Sequence, residues 1–262
     1  MAILHAIESV YVLAGFVVGA LIGITGVGGG ALMTPILIFF GVPPVAAVGT
    51  DLLYASLTKT GGTLVHGYNK TVDWFIVVRL ATGSIPAAAL TILTLYELNI
   101  DSATSRSLVT NVLGAALLLT ALALFLRRPL TRYFGAHVGN LDPELVRRLT
   151  IAAGAILGVL VSISSVGAGA IGVTVLILLY PNLPIARIVG SDIAHAVPLT
   201  LAAGLGHVAL GSISWSLLVM LLIGSLPGIF LGSYLSAKLP DSVVRLTLAS
   251  TLLVVCVKLL FF

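Results

Sequence analysis

Long apolar runs, separated by short polar or glycine-rich breaks, cover almost all of this 262-residue sequence. Two of the clearest runs, 103–126 and 215–239, are long enough as helices to cross a hydrocarbon core of roughly 30 Å. Backbone groups in lipid must pair internally, and the alternating pattern of a membrane barrel is missing from the sequence. The pattern therefore predicts an all-α, polytopic membrane protein. Ten segments are expected, at about 6–25, 29–41, 44–66, 72–96, 104–126, 149–164, 168–180, 185–210, 214–237 and 242–262.

Two of these segments are too short for a full crossing. Residues 29–41 and 168–180 each cover 13 positions, which as a helix would measure only about 20 Å. We predict that each is a half-helix or a re-entrant piece, because irregular backbone within a membrane must be buried in protein or line a cavity.

The composition agrees with a lipid environment. Only 8% of the residues are charged and 59% are hydrophobic, whereas a soluble domain carries roughly 25% charged residues. The first apolar stretch has no basic region before it, so we interpret residues 1–30 as the first helix of the mature chain and not as a signal peptide. The single cysteine, Cys256, excludes an internal disulfide framework and a paired-cysteine metal site.

The formal net charge of +4 is explained by topology. Cytoplasmic loops of membrane proteins are enriched in arginine and lysine, and no stretch resembles a nucleic-acid-binding module. We predict an inner (plasma) membrane protein with a cytoplasmic central loop, an N-terminus outside and no nucleic-acid partner. Five arginines share that central stretch: Arg127, Arg128, Arg132, Arg147 and Arg148.

The central stretch divides the chain into two halves that resemble each other. Gly49-Thr50-Asp51 returns 141 positions later as Gly190-Ser191-Asp192. Matches between residue types that are rare in this chain indicate a duplication, with a first repeat at 1–126, a linker at 127–148 and a second repeat at 149–262. The same shift aligns His66 with His207, Trp74 with Trp215, and Gly83-Ser84-x-Pro86 with Gly224-Ser225-x-Pro227.

Loop charges predict how the two halves are oriented. If the central arginines lie inside, Lys70 also falls inside, while Glu97 and Asp101 fall outside. In the second half, Lys238 and Arg245 fall inside. Equivalent loops then lie on opposite sides, so we predict inverted repeats of five segments each. Secondary transporters commonly have this arrangement, with a binding site near the midplane where the repeats meet.

A glycine-rich break interrupts each half and suggests an anion site. A helix that begins at residues 25–30 or 164–169 would direct free N–H groups and the positive end of its dipole inward. Close helix packing through small residues is the alternative. The candidate substrate-binding residues are Thr25, Gly28, Gly29, Gly30, Thr50, Ser164, Ser165, Gly167, Gly169 and Ser191.

Two carboxylates lie within the third segments. Asp51 and Asp192 occupy equivalent positions, and each costs on the order of 3 kcal/mol to insert at a helix centre. His195 lies on the same helical face as Asp192. We predict a proton relay or cation coordination here, with a structural ion pair as the alternative. Lys59 lies deep in the same segment and could pair with Asp51 or meet an anion.

His66 and His207 form a matched pair near the ends of the third segments. Histidine titrates near physiological pH, so the two could act as proton gates on opposite sides of the membrane. Anchoring at the interface, beside Trp74 and Trp215, is an equal alternative.

The sequence resembles the TauE/SafE family of sulfite and organosulfonate exporters over essentially its whole length. The resemblance rests on Gly19-x-x-x-Gly23-x-x-Gly26-x-Gly28-Gly29-Gly30 with Pro35, on Ala47-x-Gly49-Thr50, and on their echoes in the second half. It implies transport of small sulfur-containing anions, out of the cell. Family members often have serine where this chain has Asp51 and Asp192, a departure that could mark a subgroup with different coupling.

We therefore predict a proton-coupled secondary transporter of small sulfur-containing or organic anions, without a cofactor or resident metal. No GxxxxGK[ST] motif for ATP is present. The alternative is a transporter of divalent metals or other cations, with Asp51, Asp192 and His195 as ligands. An intramembrane enzyme is a further alternative, although the sequence has no HExxH or GxSxG motif. Gly-rich faces would also allow a homodimer.

Overall fold

A computed structural model describes residues 2–25, 30–98, 103–138, 142–236, 249–250, 252–253 and 257. Within these ranges the chain is helical and contains no strand, which confirms the predicted all-α fold. The described helices are α1 (Ala2–Thr25), α2 (Gly30–Phe39), α3 (Pro44–Tyr68), α4 (Trp74–Glu97), α5 (Ala103–Val138), α6 (Pro143–Ser164), α7 (Ala170–Leu179), α8 (Ile185–Ala209) and α9 (Trp215–Ser236).

Four of the described helices are long and apolar enough to cross a membrane. The spans are Trp74–Glu97, Arg106–Leu126, Pro143–Ser164 and Ile185–Ala209, and shorter apolar helical stretches occur at Ser9–Ile22, Ala170–Leu179 and Trp215–Leu231. Large apolar side chains cover the outside of the bundle, as Phe75 and Phe230 illustrate with 78% exposure each. Such a surface suits lipid and not water. The chain is therefore a multi-spanning membrane protein.

Helices α2 and α7 are the two short segments that the sequence predicts. Each has ten residues, which corresponds to a length of about 15 Å, half of a hydrocarbon core. The turn before α7 contains three residues with positive φ: Ser165 (59°), Gly167 (128°) and Gly169 (131°). Glycine adopts these angles without a steric penalty, so the glycine-rich sequence lets the chain end α6 and begin α7 within a few residues.

The central polar stretch differs from the expected loop. Helix α5 continues beyond its apolar span to Val138, and α6 already begins at Pro143. Polar residues extend a helix readily once it has left the lipid, because intrahelical hydrogen bonds satisfy its backbone while its side chains meet water. The connection between the halves is therefore much shorter than 127–148, although the division into two repeats stays a prediction.

The first helix of each half packs against the other half of the chain. Helix α1 packs along α9, and α6 packs along α4, so that the first helix of each half contacts the fourth helix of the other. Glycines permit the close approach: a Cβ at Gly154 of α6 would collide with the backbone of Leu80, and one at Gly15 of α1 would collide with the backbone of Leu221. Gly154 and Gly15 are repeat equivalents, and so are Leu80 and Leu221.

Helices α3 and α8 form the centre of the bundle. They pack against each other, α3 also contacts α9, and α8 also contacts α4. In the spanning window of α8, 67% of the residues are buried, against 33–44% in the other three spans. Helix α3, with 25 residues, carries the polar side chains of Thr50, Asp51 and Lys59 in its buried part. Surrounding helices therefore shield the two helices that carry the predicted aspartates.

We expect Gly154→Ala to lower the melting temperature of the purified protein by several degrees. The added methyl group must push α6 away from the Leu80 backbone, and overpacking of this kind costs about 1–3 kcal/mol. Gly61→Ala is the matched control, because no atom lies within 4 Å of the added Cβ at that position. Thermal unfolding followed by fluorescence measures both variants; equal melting temperatures would contradict the close contact between α4 and α6.

Candidate functional site

Three charged side chains are buried together at the centre of the bundle. Asp51 of α3 is 0% exposed, Asp192 of α8 is 1% exposed and Lys59 of α3 is 6% exposed. The ammonium group of Lys59 interacts electrostatically with both carboxylates. The cluster therefore brings the aspartates of both halves within electrostatic reach of a single cation.

The break between α6 and α7 contacts all three charged residues. The Nζ of Lys59 donates to the carbonyl oxygen of Ala168 at 3.3 Å. The backbone N–H of Gly169 interacts with the carboxylate of Asp192. The hydroxyl of Ser165 lies beside the carboxylate of Asp51. The glycine-rich turn and the aspartates, which are far apart in the sequence, thus form one polar site.

Helix α2 supplies a further donor to this site. The hydroxyl of Thr34 donates to Oδ2 of Asp51 at 2.5 Å, and both residues are fully buried. Thr34 is not among the site residues predicted from the sequence, since a threonine within an apolar helix carries no distinctive signal. Of the first break, Gly28 and Gly29 lie outside the described residues, as does the side chain of Thr25. Gly30 begins α2.

A second layer of buried polar pairs surrounds the charged cluster. Nε2 of His195 is hydrogen-bonded to the hydroxyl of Ser84 at 2.8 Å. His195 also interacts with the charge of Lys59. The phenol of Tyr54 lies beside Ser225. These two pairs correspond under the shift of 141, which aligns Tyr54 with His195 and Ser84 with Ser225. The repeat of Gly-Ser-x-Pro in the sequence was the signal that marked the two serines.

Several polar atoms of this region are buried without a hydrogen-bond partner among the described residues: Asp51 Oδ1, Asp192 Oδ1, Ser165 Oγ, His195 Nδ1 and Tyr54 Oη. Buried polar groups are nearly always hydrogen-bonded in native proteins, and each exception requires an explanation. Both hydrogen-bond donors and acceptors are among these atoms. This combination fits a site that receives a small polar ligand and protons.

Thr50 and Ser191 serve a different part of the structure. The hydroxyl of Thr50 accepts from the backbone N–H of Ser214 at 3.1 Å, and that of Ser191 accepts from the N–H of Asp73 at 2.8 Å. The two bonds are equivalent under the shift of 141, and each connects a central helix of one half to the start of the fourth helix of the other. We call these two contacts the helix-start hooks. Their hydroxyls are engaged there and do not face the charged cluster.

The matched histidines lie at the ends of α3 and α8. His66 Nδ1 is 2.8 Å from the hydroxyl of Thr71, and His207 Nδ1 is 2.9 Å from that of Ser212. His207 is fully buried, and its Nε2 is 3.0 Å from the carbonyl oxygen of Ser162. Each ring therefore stabilises the turn after its helix through a hydrogen bond to a hydroxyl of that turn. A role as proton gates stays a prediction, and it would require these bonds to open.

Ser164 and Gly167 of the predicted site shape the break itself. The hydroxyl of Ser164 donates to the carbonyl oxygen of Leu160 at 2.6 Å and accepts from the N–H of Val166 at 3.2 Å. Gly167 holds a φ of 128°. Among the described residues, no group of three or more His, Cys, Asp or Glu side chains is placed to hold a metal ion.

Comparisons with known proteins agree with this architecture. Residues 11–259 match the family described as "Sulfite exporter TauE/SafE". The chain is 40% identical over 250 residues to the "Probable membrane transporter protein YjnA" of Bacillus subtilis, covering 95% of this chain and 98% of the relative. It is 27% identical over 202 residues to the "Probable membrane transporter protein MJ0441" of Methanocaldococcus jannaschii, covering 74% and 69%. No solved structure matches the chain.

We expect Ser191→Ala to destabilise the protein, because it leaves the half-buried N–H of Asp73 without its side-chain acceptor. The loss of one such bond costs about 0.5–1.5 kcal/mol. Thr94→Ala is the control, since the exposed hydroxyl of Thr94 bonds only within its own helix. Melting temperatures measure both changes, and a Ser191 variant as stable as the control would refute the helix-start hook.

Proposed function

Since the chain belongs to the Sulfite exporter TauE/SafE family and is a membrane transporter, we propose that it carries small sulfur-containing anions, coupled to protons. The family name and the relatives support transport. The anionic substrate is supported by a separate observation, which is the buried ammonium group of Lys59, within electrostatic reach of both aspartates and hydrogen-bonded to the break before α7. Export is the direction that the family description suggests.

The charge of the cluster explains why protons would accompany an anion. With both aspartates ionised, Asp51, Lys59 and Asp192 together carry one negative charge, which repels an anion. A proton on one carboxylate makes the cluster neutral, and a second proton leaves the positive charge of Lys59 uncompensated. Because uncompensated charges are costly inside a membrane, an anion binds best after the site has taken up protons.

The same charges argue against the cation alternative. Asp51 and Asp192 are hard oxygen ligands of the type that divalent cations prefer. The ammonium group of Lys59 already interacts with both, however, and a second cation in the same place would meet its repulsion. In an anion transporter, therefore, Lys59 attracts the substrate and the aspartates balance Lys59. A cation would instead have to displace the ammonium group of Lys59 from the aspartates.

We also propose that the stretch 127–148 faces the cytoplasm and that the N-terminus lies outside, on the basis of its arginines. Single cysteines introduced at positions 140 and 99 into a Cys256→Ser background test this orientation. An impermeant maleimide added to intact cells should label position 99 but should label position 140 only after the cells are lysed. The reverse pattern would overturn the orientation while leaving the transport proposal intact.

We expect Lys59→Gln to abolish anion transport. The substitution removes the positive charge that would hold the substrate, and a charge-assisted contact is worth on the order of 1.5–3 kcal/mol, or about ten- to a hundredfold in affinity. Uptake of labelled sulfite, thiosulfate and a divalent metal into proteoliposomes, with and without a proton gradient, measures the effect. Lys70→Gln is the control, because Lys70 is an exposed lysine in the turn after α3.

The two proposals for the substrate give opposite results in this assay. Transport of sulfite or thiosulfate that requires Lys59 and increases with the proton gradient supports the anion. Transport of the divalent metal that persists or increases in the Lys59 variant, without any anion transport, would replace the anion proposal by the cation alternative.

A further inference from the structure

We propose that the carboxylate of Asp192 is an internal competitor of the substrate anion, occupying the anion's binding groups until it takes up a proton. This inference rests on the proposed anion transport and specifies how the proton is coupled to it. It assigns different roles to the two equivalent aspartates, with Asp192 as the exchanging group and Asp51 as a carboxylate held in place.

The first observation is the contact between Asp192 and the beginning of α7. The N–H of Gly169, which precedes the first residue of α7, interacts with the Asp192 carboxylate. Oδ1 of Asp192 lies where a Cβ of Gly172 would be, so that only glycine leaves room for it. The amino end of a helix attracts negative charge. The carboxylate therefore occupies the place that an anion would take at the break.

The second observation is that two further donors lie at the break before α7: Lys59, and the hydroxyl of Ser165 beside the carboxylate of Asp51. Lys59, which interacts with Asp192, makes its hydrogen bond to a neutral carbonyl oxygen, that of Ala168. Within the described part of the chain, the buried hydroxyl of Ser165 and Oδ1 of Asp192 have no hydrogen-bond partner. An ammonium group, a hydroxyl and a backbone N–H at one end of α7 form the donor set for a small oxyanion.

The third observation is that two described residues of the first half differ from their counterparts in this arrangement. Asp51 accepts a hydrogen bond from Thr34 of α2, whereas Val173 stands at the position equivalent to Thr34. The position equivalent to Gly172 is occupied by the buried side chain of Met33. The Thr34 hydroxyl holds Asp51 in addition to the main chain of α2, whereas Asp192 rests against the main chain of α7, and so Asp192 can leave more easily.

The exchange balances protons, and for an anion of charge −1 it also leaves the charge of the site unchanged. An aqueous proton binds a carboxylate oxygen of Asp192, the neutral carboxyl group loses its attraction to Lys59 and to the amino end of α7, and the anion takes its place. Release of the anion reverses the steps, and Asp192 returns its proton to the aqueous phase on that side. One proton thus moves with each anion bound at this site.

Proton uptake by the unaltered protein is the first test. Addition of thiosulfate, which keeps its charge between about pH 6 and pH 8, to the solubilised protein in weak buffer should take up about one proton per anion bound. Its dissociation constant should rise up to about tenfold per pH unit, the limit when binding requires one protonated group. Binding without proton uptake would overturn the inference.

Asp192→Asn is the second test, since the amide imitates the protonated carboxyl group. We expect this variant to bind thiosulfate without proton uptake and with a dissociation constant that no longer changes with pH. In proteoliposomes it should exchange labelled for unlabelled anion but should lose accumulation driven by a proton gradient. Retention of proton uptake and of gradient-driven accumulation would overturn the role of Asp192.

Gly172→Ala provides a test that keeps the carboxylate. The added methyl group must move Asp192 away from α7, so the pH dependence of thiosulfate binding should become weaker than in the unaltered protein. Gly61→Ala, which meets no neighbour within 4 Å, should keep the full pH dependence. If the unaltered protein transports thiosulfate but both glycine variants behave alike, the internal competitor is refuted and anion transport stands. If it neither binds nor transports any anion tested, the proposed function itself is refuted.

Discussion

The burial of three charges in the middle of a membrane protein is the constraint on which the rest of this structure depends. A lone aspartate or lysine at the centre of a bilayer is expensive, and the cost falls only when opposite charges and hydrogen-bond donors surround it. Asp51, Lys59 and Asp192 meet this condition together and not separately. Their mutual dependence explains why α3 and α8 lie at the centre, and why the break before α7 lies beside them to supply main-chain partners.

The contacts around this centre recur between the two halves of the chain, but the chemistry inside it does not. The helix-start hooks, the glycine contacts between α1 and α9 and between α4 and α6, and the histidine turns all recur at a shift near 140 positions. The polar core differs between the halves: Lys59 is aligned with Thr200, and Tyr54 is aligned with His195. Symmetric ends with an asymmetric centre suit a protein that offers one binding site to two sides of a membrane.

The sequence allowed most of the helices to be predicted, because apolar runs and glycine breaks are local signals. It also marked Asp51 and Asp192, since a carboxylate in an apolar helix has few explanations. The partners of these residues could not be predicted. Whether Thr50 faces the cluster or the start of α9 depends on the packing between the halves. Thr34 differs from other threonines in the apolar helices only because Asp51 lies opposite it. The extension of α5 to Val138 was missed because a polar helix outside lipid has no apolar signature.

The buried cluster and the two helix-start hooks together set a condition on how the protein can move. In this structure both hooks are formed and all three charges are buried. A single hook contributes about 1 kcal/mol and can open readily, whereas exposing or separating the charges costs far more while they remain unbalanced. The charge of the cluster therefore opposes opening more strongly than the hooks do. A transporter built in this way opens at lower cost once a proton has neutralised the excess negative charge of its two aspartates.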